Sequence, residues 1–195
     1  MEEWFNRKYR KVLEILPDVI YCLSDKLILV GGTALALFYL KHRTSIDLDF
    51  VPIKENDTKL KEQIKGCLSK KGYRTRVGSY SNQFIVQFED TSIKIEVFDA
   101  QDKIKFEEHT FAGTKILVAT FESIFEMKQA AYKDRKEARD LFDLFCMLKT
   151  MEQKMDLIKK LTREVGPPKN LEDIDNMAIN LADVEEFKKV IVSAT

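Results

Sequence analysis

The chain has 195 residues, 45% hydrophobic and 33% charged, an ordinary globular composition that can fill one large domain or two small ones. Its 32 Lys and Arg balance 32 Asp and Glu, which excludes an overall basic excess of the kind that announces nucleic-acid binding. No run approaches the roughly 18 uninterrupted apolar residues of a membrane span, and Met1-Glu2-Glu3-Trp4 lacks the layout of a signal peptide, so a cytoplasmic protein is expected with no membrane partner.

Trp4 to Cys22 has helical spacing (Trp4, Tyr9, Val12, Leu13, Leu16), which Pro17 should end or kink. Leu27 to Val30 reads as a buried strand, Gly31-Gly32 as a turn, and Thr33 to Leu40 as an apolar helix. A glycine pair that leaves a strand and opens a helix exposes backbone N–H groups at the positive helix end, where a phosphate fits, and Thr33 can add a hydroxyl. In Ser45-Ile46-Asp47-Leu48-Asp49-Phe50 the period-2 alternation sends Asp47 and Asp49 to one face, roughly 6 to 7 Å apart. Two carboxylates so placed can hold one Mg²⁺, or a close pair, through oxygen ligands.

Asp57 to Lys71 reads as a helix with Leu60, Ile64, Cys67 and Leu68 on its apolar face and a Lys71-Gly72 stop. Lys70 to Arg76 gathers four cations with no acid, and Lys133 to Arg139 four cations with two acids; either is a solvated surface or a local basic patch. Tyr73 to Tyr80, Gln83 to Glu89 and Ser92 to Phe98 are strand-like, the last two forming a hairpin about Asp90-Thr91. If the last strand lies beside the Asp47/Asp49 strand, Glu96 completes a three-carboxylate cluster; otherwise Lys94 and Glu96 are a solvated pair on an edge strand. Asp99 to Glu108 is polar and loop-like, with a short strand pair in Phe111 to Val118 around Gly113. Cys22, Cys67 and Cys146, odd in number and widely spaced, read as reduced core thiols.

A change of composition near Ala119-Thr120 divides residues 1–119 from residues 120–195, which read as helices: Thr120 to Tyr132, Lys136 to Thr150, Met151 to Val165, and a pair after Pro167-Pro168. Thr120 is an N-cap. Lys128 falls where a core-facing residue belongs, so it either snorkels to water or meets an acid or phosphate. Arg139 with Asp143, and Lys136 with Asp140, stand at i, i+4, the spacing of surface ion pairs. Leu171 to Thr195 reads as bundle core.

Gly-Gly followed after a helix by Asp-x-Asp resembles the signature of the polymerase-β-type nucleotidyltransferases, and GGTALAL...HRTSIDLDF resembles the AbiEii/AbiGii toxin family within them. Lys94-Ile95-Glu96, Met127-Lys128-Gln129-Ala130 and RKEARDLFDL are similar to that family's later motifs. The resemblance implies an α/β (α+β) fold in which a short mixed sheet flanked by helices forms a nucleotidyltransferase domain, and a C-terminal helical bundle closes over the nucleotide. It implies transfer of a nucleoside monophosphate from an NTP to an acceptor hydroxyl, on a tRNA 3′ end or a protein, by the toxin of a toxin-antitoxin or phage-defence system with a cognate antitoxin. In that mechanism Asp47, Asp49 and Glu96 are metal or catalytic carboxylates, with Glu96 alternatively the base. Gly31, Gly32 and Thr33 receive phosphates, Lys128 neutralises the triphosphate, and Asp140 or Asp143 orients it or meets the acceptor. His42, Arg43 and Ser45 touch phosphate or acceptor, or else cap the Asp strand. Two alternatives share parts of this pattern: a small-molecule nucleotidyltransferase of the antibiotic-modifying kind, and a non-catalytic nucleotide- or partner-binding module.

Overall fold

A computed structural model of the chain describes residues 3–23, 26–54, 59–100 and 103–194. Seven strands form one sheet: β1 (Leu27–Val30), β2 (Asp47–Pro52), β3 (Arg74–Val77), β4 (Gln83–Gln87), β5 (Ser92–Val97), β6 (Phe106–Phe111) and β7 (Thr114–Ala119). Their order is β3-β4-β5-β2-β1-β7-β6. β2 runs parallel to β5 and β1 parallel to β7, and the other neighbours are antiparallel, so the fold is mixed α/β.

One face of β2, β4 and β5 is wholly apolar. Leu48, Phe50, Phe84, Val86, Ile93 and Ile95 are fully buried there, in one cluster with Val12, Ile15, Leu16 and Val19 of α1 (Glu3–Leu23) and Leu60, Ile64 and Leu68 of α3 (Leu60–Lys70). Each such side chain contributes roughly 1.5–3 kcal/mol, which explains why Pro17 does not end α1. An interior proline costs about 3 kcal/mol, and burying Val19 and Ile20 beyond it offsets that cost, so the helix continues to Leu23. The Trp4 side chain and the expected start of α3 at Asp57 lie outside the described residues.

The chain leaves β1 into α2 (Gly31–Ala34), which continues as a π-helical segment over Leu35–Leu40. After β7 come α4 (Phe121–Arg135), α5 (Ala138–Thr150), α6 (Asp156–Val165), α7 (Asp173–Met177) and α8 (Leu181–Val192). The Thr120 side chain caps α4 by accepting from the Ser123 amide. These helices enclose a second apolar cluster around Phe142, Phe145 and Phe187, and Leu40 and Phe125 pack against both clusters.

Three expectations need correction. Residues 106–108, read as loop, belong to β6, an edge strand exposed along much of its length; with little to bury, it shows no apolar alternation. α6 starts at Asp156, because residues 151–155 form the turn after α5. Cys22 and Cys67 are joined in a disulfide: α1 packs against α3 and brings their Cα atoms to 5.7 Å, leaving Cys146 as the free buried thiol.

Candidate active site

At the end of β1 the backbone turns through Gly31, whose φ of +73° lies in the region that favours glycine. A Cβ at Gly31 would stand 2.9 Å from Asp49 Oδ2, and one at Gly32 would run into Arg43 Nη2. The glycine pair is therefore required by what approaches it.

Register brings the carboxylates to this turn. Val30 pairs with Asp49, Asp49 with Glu96, and Asp47 with Lys94, and directly opposed residues share a sheet face. Asp49 Oδ1 is buried and has no hydrogen-bond partner among the described residues. Burial pushes the Asp49 pKa up to about 6; Lys94 opposes the shift, and Asp47 and Glu96 add to it. Glu96 is tied down instead: Asn82 Nδ2 and Gln83 Nε2 each donate at 2.9 Å and Lys94 Nζ at 3.1 Å. The Lys94 ammonium also stands 3.6 Å from Asp47 Oδ2. Burial disfavours its charge, but Asp47, Asp49 and Glu96 outweigh burial and raise its pKa.

Among the described residues no group of three or more His, Cys, Asp or Glu side chains is gathered to hold a metal ion. β5 lies beside β2, the placement on which the expected three-carboxylate cluster depended. Glu96 arrives beside Asp49, but Lys94, Asn82 and Gln83 hold its oxygens. Asp47 and Asp49 fit a cation better, because both side chains line the cleft, Asp49 Oδ1 has no hydrogen-bond partner among the described residues, and glycine at position 31 leaves the space beside Asp49 Oδ2 clear.

The opposite wall is helical. Lys128 of α4 is 5% exposed and its Nζ lies 2.9 Å from Asp140 Oδ1 and 2.7 Å from Asp143 Oδ2, both on α5 and fully buried. Arg43 grips Asp143 with two bonds, Nε to Oδ1 at 2.6 Å and Nη2 to Oδ2 at 2.8 Å, while Nη1 donates to the Thr44 carbonyl. His42 Nε2 meets Asp143 Oδ1 at 2.7 Å; burial lowers the His42 pKa against the pull of Asp143, so the neutral ring donates this bond. Arg135 grips Asp140 through Nε at 2.6 Å and Nη2 at 2.8 Å. Against the penalty of burial, Arg43 and Lys128 hold the Asp143 carboxyl well below its usual range, and Lys128 and Arg135 lower that of Asp140.

A cleft of about 250 Å³ lies between the two walls, lined by Gly32, Arg43, Ser45, Asp47, Asp49, Glu96 and Lys128 of the expected set. Asp140 and Asp143 lie behind it, and neither forms the i, i+4 pair that spacing suggests. Thr33 is also withdrawn: its hydroxyl donates to the Asp47 carbonyl and shares a 2.8 Å bond with Ser45 Oγ, fastening the glycine turn to β2. Arg43, with its donors on Asp143 and Thr44, positions the wall.

Of the charged residues lining the cleft, the expected set left out Lys94, Arg135, Arg139 and Asp173. Lys94 alternates with Glu96 on β5, a pattern that could have flagged it. Arg139 of α5 lines the cleft with a buried Nε that has no hydrogen-bond partner, and among the described residues it has no ion pair; only the rotation of α5 shows where it points.

No curated protein sequence matches the chain significantly. A crystal structure of JHP933 from Helicobacter pylori superimposes with a TM-score of 0.59 at 21% identity, over 96% of this chain and 90% of that one. A protein described as a candidate nucleotidyltransferase from H. pylori gives 0.60 at 21% identity, over 100% and 94%. An antigenic nucleotidyltransferase-like protein from Paracoccidioides brasiliensis gives 0.53 at 18%, over 74% and 77%. At these identities the likeness is one of fold. A family model, that of the nucleotidyl transferase AbiEii toxin of type IV toxin-antitoxin systems, matches residues 18–193. With that match spanning nearly the whole chain, the protein belongs to the AbiEii nucleotidyltransferase toxin family.

Proposed function

We propose that the protein moves a nucleoside monophosphate from an NTP to an acceptor hydroxyl with Mg²⁺, as the cytoplasmic toxin of a toxin-antitoxin pair. The observation that carries this reading is Asp49, whose buried Oδ1 has no partner among the described residues, lining one cleft with Asp47, Gly32 and Arg139, an arginine with no ion pair among those residues. Asp47 and Asp49 would hold Mg²⁺, which when bound neutralises triphosphate charge and polarises the phosphorus under attack.

The chain's own groups do the rest. Amides of Gly31 and Gly32, at the start of the helix, receive phosphate oxygens. Arg139, with no carboxylate to answer, binds the triphosphate in place of Lys128, whose ammonium holds Asp140 and Asp143. Lys94, kept charged by three carboxylates, adds positive charge at the rim. The acceptor oxygen attacks the α-phosphorus, the α–β anhydride bond breaks, pyrophosphate leaves with the bonding electrons, and the hydroxyl proton passes to solvent.

Incubating the protein with each labelled NTP, Mg²⁺ and total cellular RNA or protein tests this reading. One species should take up label, and Asp47→Ala or Asp49→Ala should abolish uptake together with any growth arrest. Unchanged transfer in either variant removes the metal assignment.

A further inference from the structure

The register of the sheet extends the site beyond the cleft. Arg76 pairs with Ile85, Ile85 with Lys94 and Lys94 with Asp47, one row across β3, β4, β5 and β2. Paired residues share a face, so Arg76 faces the same side as the carboxylates, three strand spacings or about 14 Å from Asp47. Arg74, paired with Gln87, follows on the same face. On the reverse face Phe84 and Val86 are fully buried, whereas Arg74, Arg76 and Gln87 are exposed and Ile85 is half-buried, so this part of the front face is open. Among the described residues neither arginine has a hydrogen bond or an ion pair.

Resting on the nucleotidyl-transfer reading above, we propose that this open strip is the track for a single-stranded nucleic-acid acceptor, laid from the sheet edge toward the carboxylates with its terminal hydroxyl at Asp47 and Asp49. Charge complementarity selects the occupant. Two unpaired guanidinium groups on alternate residues of one strand stand about 6 to 7 Å apart, a spacing that suits successive phosphates of an extended strand. Tyr80, 69% exposed in the turn between β3 and β4, offers a stacking surface; two residues on, Asn82 bonds Glu96, which places that turn beside the site. The cleft of about 250 Å³ admits a chain end at the carboxylates and no duplex. The strip is basic although the chain as a whole is neutral.

Binding is tested without NTP, on the full chain, by fluorescence anisotropy of a 5′-labelled 12-residue oligouridylate between 50 and 200 mM salt. Arg74→Glu with Arg76→Glu should weaken binding at least tenfold and make the log-affinity against log-salt slope shallower by about 1.4, two contacts at about 0.7 each. Arg74→Lys with Arg76→Lys should keep the slope, which separates lost contacts from lost folding. Tyr80→Ala should weaken binding about fivefold with the slope unchanged. A slope that survives the double glutamate change overturns the track.

Transfer then separates this proposal from the reading beneath it. Label entering RNA, and reduced at least tenfold in the double glutamate variant with NTP binding intact, supports the track. Label entering RNA equally in both proteins, or entering protein alone, overturns it and leaves nucleotidyl transfer standing. No label in RNA or protein from any NTP overturns both.

Discussion

Lys128→Met discriminates between the two places a cleft lysine can act. Lys128 Nζ lies 2.9 Å from Asp140 and 2.7 Å from Asp143, and both carboxylates are fully buried. The substitution removes two charge-assisted hydrogen bonds, each about 1.5–3 kcal/mol. It leaves both carboxylates ionised, since Arg135 still grips Asp140 and Arg43 still grips Asp143. Breaking a buried pair typically costs about 3–5 kcal/mol, and the retained arginines hold the loss to the lower end, about 3 kcal/mol. For a chain of this length that is a fall in Tm of roughly 6–12 °C. Urea denaturation at pH 7 measures the loss directly, and Asp140→Asn in the same background should recover part of it, because a neutral amide does not need the missing ammonium. A Lys128→Met protein that loses less than about 1 kcal/mol while transfer disappears would refute the reasoning and return Lys128 to the triphosphate.

Asp49→Asn should abolish transfer yet stabilise the metal-free protein at pH 8 by up to about 3 kcal/mol, because the native carboxyl, with its pKa raised to about 6, is ionised there at a cost; urea midpoints of the two proteins check it. The sign carries over to pH: a raised folded pKa means stability is gained as pH falls through about 6, whereas the lowered pKa values of Asp140 and Asp143 mean stability is lost as pH falls below about 4. His42, buried neutral with a lowered pKa, costs stability in both proteins below about pH 6.5, so the Asp49 contribution is read as a difference. The advantage of Asp49→Asn over the native protein should shrink from pH 8 to pH 5, and a constant advantage would contradict the placement of Asp49. Gly31→Ala combines a left-handed backbone with a Cβ 2.9 Å from Asp49 Oδ2, so it should cost about 1–2 kcal/mol and reduce transfer at least tenfold, read by denaturation and label uptake. Alkylation of the denatured, unreduced protein should modify one cysteine, and reduction should lower stability by up to about 4 kcal/mol for a loop of 45 residues; three modified thiols would show the bridge absent.

Local periodicity explains what was legible. Ile46-Asp47-Leu48-Asp49-Phe50 alternates because one face of β2 is core and the other is cleft, and the hairpin of β4 and β5 alternates for the same reason. β6 was not legible as a whole, since an exposed edge strand needs no apolar rhythm. Pro17 misled because a local penalty was outweighed by burial that only the packed helix reveals. The ion pairs misled most. Spacing offered Arg139 to Asp143, but the arginine on Asp143 is Arg43, a hundred residues away.

From its sequence alone this protein was bound to place two aspartates on one strand face after a glycine turn, because strand alternation and glycine's backbone freedom are properties of neighbouring residues. Which carboxylates are answered by a cation was decided mainly in three dimensions: packing α5 against α4 and the segment after the π-helix gave Lys128 and Arg43 to Asp143, and β-sheet register gave Lys94 to Asp47. Charge pairing acts across space with little regard for chain separation, so the groups left over, Asp49 and Arg139, emerge only once every other partner is in place.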